Sequence, residues 1–199
     1  MAARTLIFCK PYKVLNCFTD PEGRPTLADY IDVPGVYAAG RLDYDSEGLL
    51  LLTSDGKLAH QITHPRYKLK KIYLVQVENV PDDHALEQLR QGVIVKGKQT
   101  RPAQVELLAE DPNLFPRSEP IRYRRNIRTA WLKVTLREGR KRQLRRMTAA
   151  VGHPTLRLIR IAIGSVTLGD LQPGQWRDLT PAELKSLWAS LRTNMPSSR

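Results

Sequence analysis

The hydrophobic residues of the chain fall into two kinds of segment, and the first kind predicts β-strands. In these segments apolar side chains alternate with polar ones or form short unbroken runs, as strands do when one or both faces are buried. The strands predicted in this way cover residues 4–9, 36–42, 48–53, 70–77, 131–136 and 156–168, with two more within 92–108. Turn-forming glycine, proline and acidic residues separate several of them, as in 19–25 and 43–47.

The second kind of segment predicts helices. Thr26, Asp55 and Thr180 each stand directly before such a segment, where a side-chain oxygen can accept hydrogen bonds from the first helical turn. The predicted helices cover residues 27–31, 56–62, 82–90, 140–151 and 181–191, and residues 112–127 form a long irregular insert. Because strands and helices mix without a regular strand–helix–strand rhythm, we expect an α+β fold in which helices flank a mixed, mostly antiparallel sheet.

The length of 199 residues suits one domain, or two small lobes that share a core. No apolar run reaches the roughly 18 residues that a membrane helix needs, and the first residues lack the apolar stretch of a signal peptide. Cys9 and Cys17 form neither a CxxC motif nor a disulfide framework, so reduced thiols in the cytoplasm are expected. We expect a domain over residues 1–192 and a frayed tail at 193–199.

The net charge of +12 is confined to one part of the chain. Residues 117–160 contain 14 basic and 2 acidic residues, whereas the remaining 155 residues carry 18 of each. Arginine matches phosphate oxygens with a bidentate fork, so a basic segment on a neutral body indicates a surface that binds a polyanion. Nucleic acid is the favoured partner and a membrane is disfavoured, although a solvated basic face would have the same composition.

The sequence lacks the motifs of common cofactor and metal sites. His60 and His64 are four residues apart, but Pro65 ends the segment and no HExxH pattern is present, so surface or structural histidines are expected. Residues 92–100 (GVIVKGKQT) approach a phosphate-binding loop, but Gln99 replaces its hydroxyl residue and VIV favours a strand, which predicts a hairpin instead. A GxGxxG motif is also missing. We therefore expect no cofactor and no metal.

Residues 40–56 (GRLDYDSEGLLLLTSDG) contain the densest group of chemically active side chains. Asp43 directly follows a predicted strand and begins a turn, so it stands where side chains at the end of a sheet reach solvent or a substrate. Together with Asp45 and Glu47 it makes three acids within five residues. The spacing alone fits either a metal cluster or, more commonly, a turn in which an aspartate accepts hydrogen bonds from the backbone.

Four separated segments occur in an order that one enzyme family shares. They are Lys10–Pro11, residues 40–56, Lys71–Ile72–Tyr73, and EGRKRQLRRM at 138–147, which is followed by HPTLRLIRIAIG at 153–164. In sequence and order they resemble the motifs of RNA pseudouridine synthases of the RsuA type, which act on ribosomal RNA. The resemblance covers about residues 4–190. Lys13 stands where many relatives have glycine, and Ser46 stands where threonine is usual.

The resemblance implies the pseudouridine synthase catalytic fold with a central active-site cleft. In the implied reaction the N1–C1′ bond of a flipped-out uridine breaks, the uracil turns, and C5 bonds to C1′. Asp43 matches the catalytic aspartate, which could attack C1′, attack C6 or abstract a sugar proton. Arg145 matches the basic partner of that aspartate, and Tyr73 matches the aromatic residue that packs on the base. Leu158 matches an apolar pocket residue, and Arg41 is expected to fill the space that the base leaves.

The resemblance also implies that the partner is large-subunit (23S) ribosomal RNA and that no cofactor is needed. For the oligomeric state, a monomer is the default expectation. Many relatives begin with a small S4-like RNA-binding domain, whereas this sequence starts at the catalytic region, so that region is expected to grip the RNA itself. The residues expected to bind RNA are Arg122, Arg124, Arg125, Arg128, Arg140, Lys141, Arg142, Arg146 and Arg160.

Two alternatives belong to other functional classes. A non-catalytic RNA-binding protein of ribosome assembly would explain the basic segment equally well. A metal-dependent nuclease would use Asp43, Asp45 and Glu47 as ligands. The aspartate distinguishes the first alternative, because a pure binding protein needs no acid inside a basic cleft, and sensitivity to a chelator distinguishes the second.

Overall fold

The structure is a computed structural model that describes residues 3–67, 69–121 and 125–193. Its strands are β1 (Thr5–Lys10), β2 (Tyr37–Ala38), β3 (Glu47–Thr53), β4 (Lys71–Glu78), β5 (Ile94–Val95), β6 (Lys98–Gln99), β7 (Gln104–Leu107), β8 (Thr129–Leu136), β9 (Thr155–Ile163), β10 (Val166–Thr167) and β11 (Trp176–Asp178). Its α-helices are α1 (Gly56–Thr63), α2 (Asp83–Gln91), α3 (Gln143–Ala150) and α4 (Pro181–Thr193).

One large sheet organises the fold, in the strand order β11-β1-β3-β9-β4-β8-β7. The pairing of β3 with β9 is parallel, and the other pairings along this order are antiparallel. The short strands β2 and β10 pair antiparallel with β3 and β9, respectively, while β5 and β6 form a separate hairpin. The expected α+β fold with a mixed, mostly antiparallel sheet is therefore confirmed. Strands β3, β9 and β4 lie at its centre, and they carry residues of the motifs described above.

Apolar side chains cover the sheet on both sides. The strands β1 and β3 are buried along their whole length, which accounts for their unbroken apolar sequences. One core cluster joins β4, β8 and β7 to α2 and α3, and another joins β1, β3 and the end of β9 to α1 and α4. On α3, Leu144 and Met147 are buried in the first of these clusters with Val151 packed beside them, so one apolar stripe fixes this helix against the sheet.

The caps that the sequence indicates are present. Asp55 accepts hydrogen bonds from the first turn of α1, and Thr180 and Glu183 form a reciprocal capping box at the start of α4. Thr26 forms a capping box too, but the segment after it is a short 3₁₀-helix, Leu27–Asp29. Residues 92–100 form a hairpin around the positive-φ residues Lys96 and Gly97, so the prediction against a phosphate-binding loop is confirmed.

Other elements also differ from the expectation. The strand predicted over residues 36–42 is reduced to β2, so Asp43 lies within the loop between β2 and β3 rather than directly after a strand. Helix α3 begins at Gln143 rather than at residue 140, because Arg142 adopts a left-handed conformation (φ 54°) that cannot continue a helix backward. The edge strand β11 was not predicted. In the described part of the chain, no helix is long and apolar enough to cross a membrane. Of the tail predicted at 193–199, Thr193 is the last residue of α4, and residues 194–199 lie outside the described residues.

Candidate active site

A cleft with a volume of about 720 Å³ lies over the central strands. Its walls come from the loop between β2 and β3, from β4 and β9, and from the segment that joins β8 to α3. Asp43, Tyr73 and Leu158 all line it, so the fold brings together residues from three of the four motifs. The volume falls within the range of about 300–1,000 Å³ that is usual for sites that enclose small molecules or nucleotides.

The backbone around Asp43 is held by the segment that follows the Lys10–Pro11 motif. The side-chain amide of Asn16 donates to the carbonyl of Leu42, and its oxygen accepts from the Leu42 N–H. The N–H of Lys13 donates to the carbonyl of Tyr44 at 2.9 Å. The residues directly before and after Asp43 are thereby fixed from outside the loop. Lys13 has a φ of 58°, a left-handed conformation that favours glycine.

Two arginines fix the same loop from the other side. Arg160 on β9 donates to the carbonyl of Arg41 at 3.3 Å, and Arg145 on α3 donates to the carbonyl of Asp45 at 2.7 Å. The carbonyl of Asp43 accepts from the N–H of Ser46 at 2.9 Å, which closes the turn. The Asp43 carboxylate itself has no hydrogen-bond or ion-pair partner within the described ranges. The loop therefore holds a half-buried carboxylate rigidly while leaving its oxygens available to a ligand.

A close contact between strands fixes where this loop lies. Gly48 of β3 pairs with Arg160 of β9, and a Cβ atom at Gly48 would lie 2.4 Å from the Arg160 carbonyl oxygen. Its φ of 94° is also a conformation that favours glycine. Glycine at this position lets β3 and β9 approach closely just after the Asp43 turn, which brings the turn against the residues of β9 that line the cleft.

The expected direct pairing of Arg145 with Asp43 is not what the structure has. Arg145 instead forms an ion pair with Asp45, in which the Arg145 Nε lies 3.2 Å from the Asp45 Oδ2. Arg145 also donates a hydrogen bond to the Thr155 carbonyl. Arg142 binds the same carboxylate with two hydrogen bonds of 2.7 and 2.8 Å. Two arginines therefore meet at Asp45, two residues beyond the candidate catalytic acid, because the turn directs Asp45 toward α3 and Asp43 into the cleft.

The charge of Asp43 nevertheless acts on three cations around it. Burial lowers the pKa of Arg145, and the charges of Asp45 and Asp43 oppose this effect. Burial also lowers the pKa of Lys10, to about 8, against the charges of Glu47, Asp45 and Asp43. The hydrogen bonds to Asp45 raise the pKa of Arg142, with a further contribution from Asp43. Asp43 thus lies in a positive field without forming an ion pair.

Asp45 is ionised because of its partners. Burial raises the pKa of its carboxyl group, but the hydrogen bonds from Arg142 and the charge of Arg145 outweigh burial and hold that pKa below its ordinary value. Asp45 therefore forms a fixed ionic contact between the loop that carries Asp43 and the start of α3.

Tyr73 lies where an aromatic residue could pack on a base. It is half-buried on β4, lines the cleft, and packs against core clusters on both sides of the sheet's centre. On β9, Leu158 is 6% exposed and contributes an apolar surface to the same cleft. Arg41 is exposed at the rim, two residues before Asp43. The cleft thus combines an acid, an aromatic ring and an apolar wall, which is the composition of a nucleoside site.

Comparison with known proteins decides the family. The sequence model described as RNA pseudouridylate synthase matches residues 4–150. The chain belongs to this family. It is 54% identical over 176 residues to the ribosomal large subunit pseudouridine synthase E of Vibrio parahaemolyticus, covering 88% of this chain and 74% of that protein. It is 56% identical over 170 residues to the protein of the same name from Xanthomonas campestris, covering 84% and 91%.

A solved structure described as a pseudouridylate synthase superimposes on this chain with a TM-score of 0.78 and 30% identity. The match covers 94% of this chain and 74% of the other. The family and the catalytic fold expected from the motifs are therefore confirmed. What the comparisons leave to the geometry is the role of each residue in the cleft.

The basic residues expected to bind RNA are distributed over three places in this pseudouridylate synthase. Those that line the cleft are Arg140, Lys141, Arg142 and Arg160. Arg146 lies on α3, where it donates to the Lys141 carbonyl at 2.8 Å. Arg125 and Arg128 are exposed at the end of the insert, and Arg122 and Arg124 lie outside the described residues. Both terminal nitrogens of Arg142 are bound to Asp45, so the exposed cations are better candidates than Arg142 for simple phosphate contacts.

The irregular insert is anchored beside the catalytic loop. The Arg117 guanidinium stacks on the Tyr12 ring at 3.6 Å, and Glu119 forms an ion pair of 2.7 Å with Lys13. Phe115 packs near Arg157 and accepts a hydrogen bond from it through its carbonyl. The first half of the insert therefore rests on the segment that supports the Asp43 turn, and its basic second half continues from this anchor.

The three acids of the catalytic segment do not gather around one point. Asp45 is bound by two arginines, and Glu47 is buried and paired with Arg157 by two hydrogen bonds of 2.9 and 3.0 Å. Across the residues that the structure describes, no group of three histidine, cysteine, aspartate or glutamate side chains is arranged to hold a metal ion. The geometry thus disfavours the nuclease alternative, because two of its three ligands are already neutralised by arginine.

Sequence reasoning missed three contributors to this site. Asn16 lies in an ordinary turn-like sequence, and its bonds to Leu42 span 26 residues. Asp45 was read only as a turn or metal residue, although it is the counter-ion of α3. Lys71 was quoted only as a motif letter, yet it lines the cleft. The motif order was the one available signal for Lys71, whereas Asn16 carried no local signal.

Proposed function

We propose that this protein isomerises a uridine of large-subunit (23S) ribosomal RNA to pseudouridine, with Asp43 as the catalytic acid residue. The observation that carries the proposal is the Asp43 carboxylate, which has no partner among the described residues and lies in a cleft that Tyr73 and Leu158 also line. Hydrogen bonds to the neighbouring residues Leu42 and Tyr44 hold its backbone in place. The RNA class comes from relatives of 54% and 56% identity, whose names specify the large ribosomal subunit.

The chain's residues divide the work. Flipping takes the uridine out of its stack at a cost of a few kcal/mol, because its reacting atoms are unreachable inside a helix. Tyr73 packs on the uracil, a contact that is worth about 1–3 kcal/mol per base, and Leu158 bounds the other side. Asp43 then faces the ribose and the base, with the positive charges of Lys10, Arg142 and Arg145 around it.

The reaction needs no external group. One bond to C1′ breaks and another forms, uracil C5 loses a proton and N1 gains one, so that atoms and electrons balance within the nucleotide. We propose that the enzyme works as a cytoplasmic monomer without a metal or an organic cofactor. Arg41, exposed at the rim, would fill the space that the flipped base leaves.

The test is to map pseudouridine in ribosomal RNA from cells with the gene, without it, and with the Asp43→Asn variant. We expect one large-subunit position to lose its pseudouridine in the deletion strain and in the variant strain. The purified protein should restore that position on large-subunit RNA, but not modify small-subunit RNA, in the presence of excess chelator.

The outcomes separate the alternatives. An unchanged pseudouridine map together with a defect in subunit assembly would favour a non-catalytic RNA-binding protein. A strict requirement for one divalent ion, with RNA cleavage as the product, would favour a nuclease. Modification of a small-subunit uridine would retain the chemistry and correct the substrate.

A further inference from the structure

Two cations that line the cleft, the half-buried Lys71 and the buried Arg160, are given no contact with the substrate in the scheme above. Lys71 lies on β4, two residues before Tyr73, and Arg160 lies on β9, two residues after Leu158. Tyr73 is paired with Arg160 in the sheet, and all four side chains line the cleft. The two cations therefore adjoin the surface on which the base is expected to lie.

Arg160 has a donor without an acceptor. Its side chain is among the most buried charged groups described, with the residue 3% exposed. Its Nε donates to the Leu49 carbonyl at 2.8 Å and one terminal nitrogen donates to the Arg41 carbonyl at 3.3 Å. The other terminal nitrogen is buried without a hydrogen-bond partner in the described part of the protein. Unsatisfied buried donors are rare and costly, so a ligand atom is the natural partner of this one.

Lys71 is also incompletely satisfied. Its ammonium group donates one long hydrogen bond, 3.3 Å, to the Leu69 carbonyl. Among the described residues no carboxylate forms an ion pair with Lys71 or Arg160. Burial lowers the pKa of Lys71 to about 8, and the charge of Arg160 lowers it further in the same direction. Two cations that repel each other without a counter-ion form a site that an anion would stabilise.

The anion is not Asp43. Its charge acts on Lys10, Arg142 and Arg145, whereas the pKa of Lys71 responds to burial and to Arg160. Arg160 also lowers the pKa of Lys10, so its positive charge adds to that of the cations near the Asp43 turn, and no described carboxylate is bonded to Arg160 or Lys71. In a nucleotide the full negative charge lies on the phosphates, since uracil and ribose are neutral, and a guanidinium fork together with an ammonium group matches phosphate oxygens.

We propose that Lys71 and Arg160 form an anion subsite that binds one backbone phosphate next to the target uridine. This inference rests on the proposed function, because it takes the RNA substrate as given. Phosphate contacts fix the register of a nucleic acid without reading its sequence. The subsite would hold the flipped nucleotide beside Tyr73 and Leu158, because its two cations line the same cleft. The exposed Arg125 and Arg128 of the insert do not line the cleft.

The test is a binding cycle with a stem–loop RNA that contains the mapped uridine. Single uncharged methylphosphonates replace the phosphate 5′ or 3′ to that uridine, with the adjoining 2′-hydroxyl methylated in every RNA so that the strand stays intact. Equilibrium binding is measured for the parent protein, Lys71→Met, Lys71→Arg and Lys70→Met. Lys70 is the matched control, because it is the adjacent lysine but is exposed and lies outside the cleft.

We expect Lys71→Met to weaken binding about 10- to 150-fold, the range for loss of a hydrogen bond to a charged group. One of the two methylphosphonates should weaken binding of the parent protein to a similar extent. The same methylphosphonate should hardly weaken binding of Lys71→Met any further. Lys71→Arg should recover most of the affinity, and Lys70→Met should bind like the parent. Arg160 is left unchanged, because its bonds to Leu49 and Arg41 also support the fold.

The subsite is refuted if Lys71→Met binds the RNA as tightly as Lys70→Met does. It is also refuted if each methylphosphonate weakens binding of Lys71→Met as much as it weakens binding of the parent protein. Neither result depends on turnover. Failure of the proposed function would appear separately, as parent protein that binds the RNA but forms no pseudouridine.

Discussion

Asp43 and Asp45 lie two residues apart in one loop, and the structure predicts that replacing each by asparagine has opposite consequences. Both substitutions keep size and shape and remove one negative charge. Asp45 binds Arg142 through two hydrogen bonds and lies 3.2 Å from Arg145, whereas the Asp43 carboxylate makes no such bond to any described residue. Asp45→Asn should therefore affect stability, and Asp43→Asn should affect the chemistry alone.

The magnitudes follow from these contacts. Loss of the Asp45 charge leaves Arg145, whose side chain is 12% exposed, without its counter-ion. A hydrogen bond to a charged group contributes about 1.5–3 kcal/mol, so Asp45→Asn should lower the free energy of unfolding by that amount. For a domain of this size each kcal/mol shifts Tm by about 2–4 °C, which gives a fall of about 3–12 °C. Asp43→Asn should stay within about 0.5 kcal/mol of the parent, as substitutions without a lost contact do.

The assay combines urea unfolding with single-turnover pseudouridine formation at saturating protein. Asp43→Asn should have the parent's stability and RNA affinity with turnover at background. Asp45→Asn should be less stable, with reduced turnover, because Arg142 and Arg145 are released near Asp43. The reasoning fails if Asp43→Asn destabilises the protein as much as Asp45→Asn does, since the Asp43 carboxylate would then have a structural partner. Substantial turnover by Asp43→Asn would refute its catalytic role.

Three further predictions concern other parts of the chain. Tyr73→Phe should retain far more single-turnover activity than Tyr73→Leu if the ring packs on the base, and equal severe losses would assign the role to the hydroxyl. Replacing Arg125 and Arg128 together by alanine should make the slope of log affinity against log salt shallower by about 1–2 while saturated turnover is kept, and an unchanged slope would remove these residues from the RNA surface. Arg177 lowers the pKa of Glu183 to about 2 from an ordinary 4.5, so the stability from this pair is present above about pH 4.5 and is lost as the pH falls toward 2. The difference in the free energy of unfolding between the parent and Glu183→Gln should therefore shrink over that pH window, and a constant difference would contradict the pairing.

The sequence predicted those elements of the fold whose signal is local. Strands β1 and β3 are buried on both faces, so their unbroken apolar runs identify them. Helices α1 and α4 carry their caps in the sequence. The edge strand β11 escaped prediction because its three residues pair with Leu6, Ile7 and Phe8, a long-range contact that no local pattern records. The true start of α3 escaped because it depends on the left-handed backbone of Arg142.

The candidate site was predictable in its members and not in its connections. The motifs brought Asp43, Tyr73 and Leu158 to attention, and the fold places all three on one cleft. Arg145 was expected to pair with Asp43 but pairs with Asp45, because the direction of the turn decides which of the two acids faces the arginine. The bonds that hold this turn join residues that are 26 to 119 positions apart, so only the folded chain reveals them.

Asp45 gives a physical reason why the candidate catalytic acid stays free inside a cationic cleft. Without a competing carboxylate, Arg142 and Arg145 would find their nearest anion at Asp43, and a direct ion pair would occupy the oxygens that must reach the ribose or the base. The Asp45 carboxylate accepts two hydrogen bonds from Arg142 and forms an ion pair with Arg145 instead, while the charge of Asp43 still acts on both arginines. The positive charges around the Asp43 carboxylate are thereby kept apart from the contacts that would block its oxygens. Lys71 and Arg160 have no carboxylate partner among the described residues, so they stay available to the charge that the substrate brings.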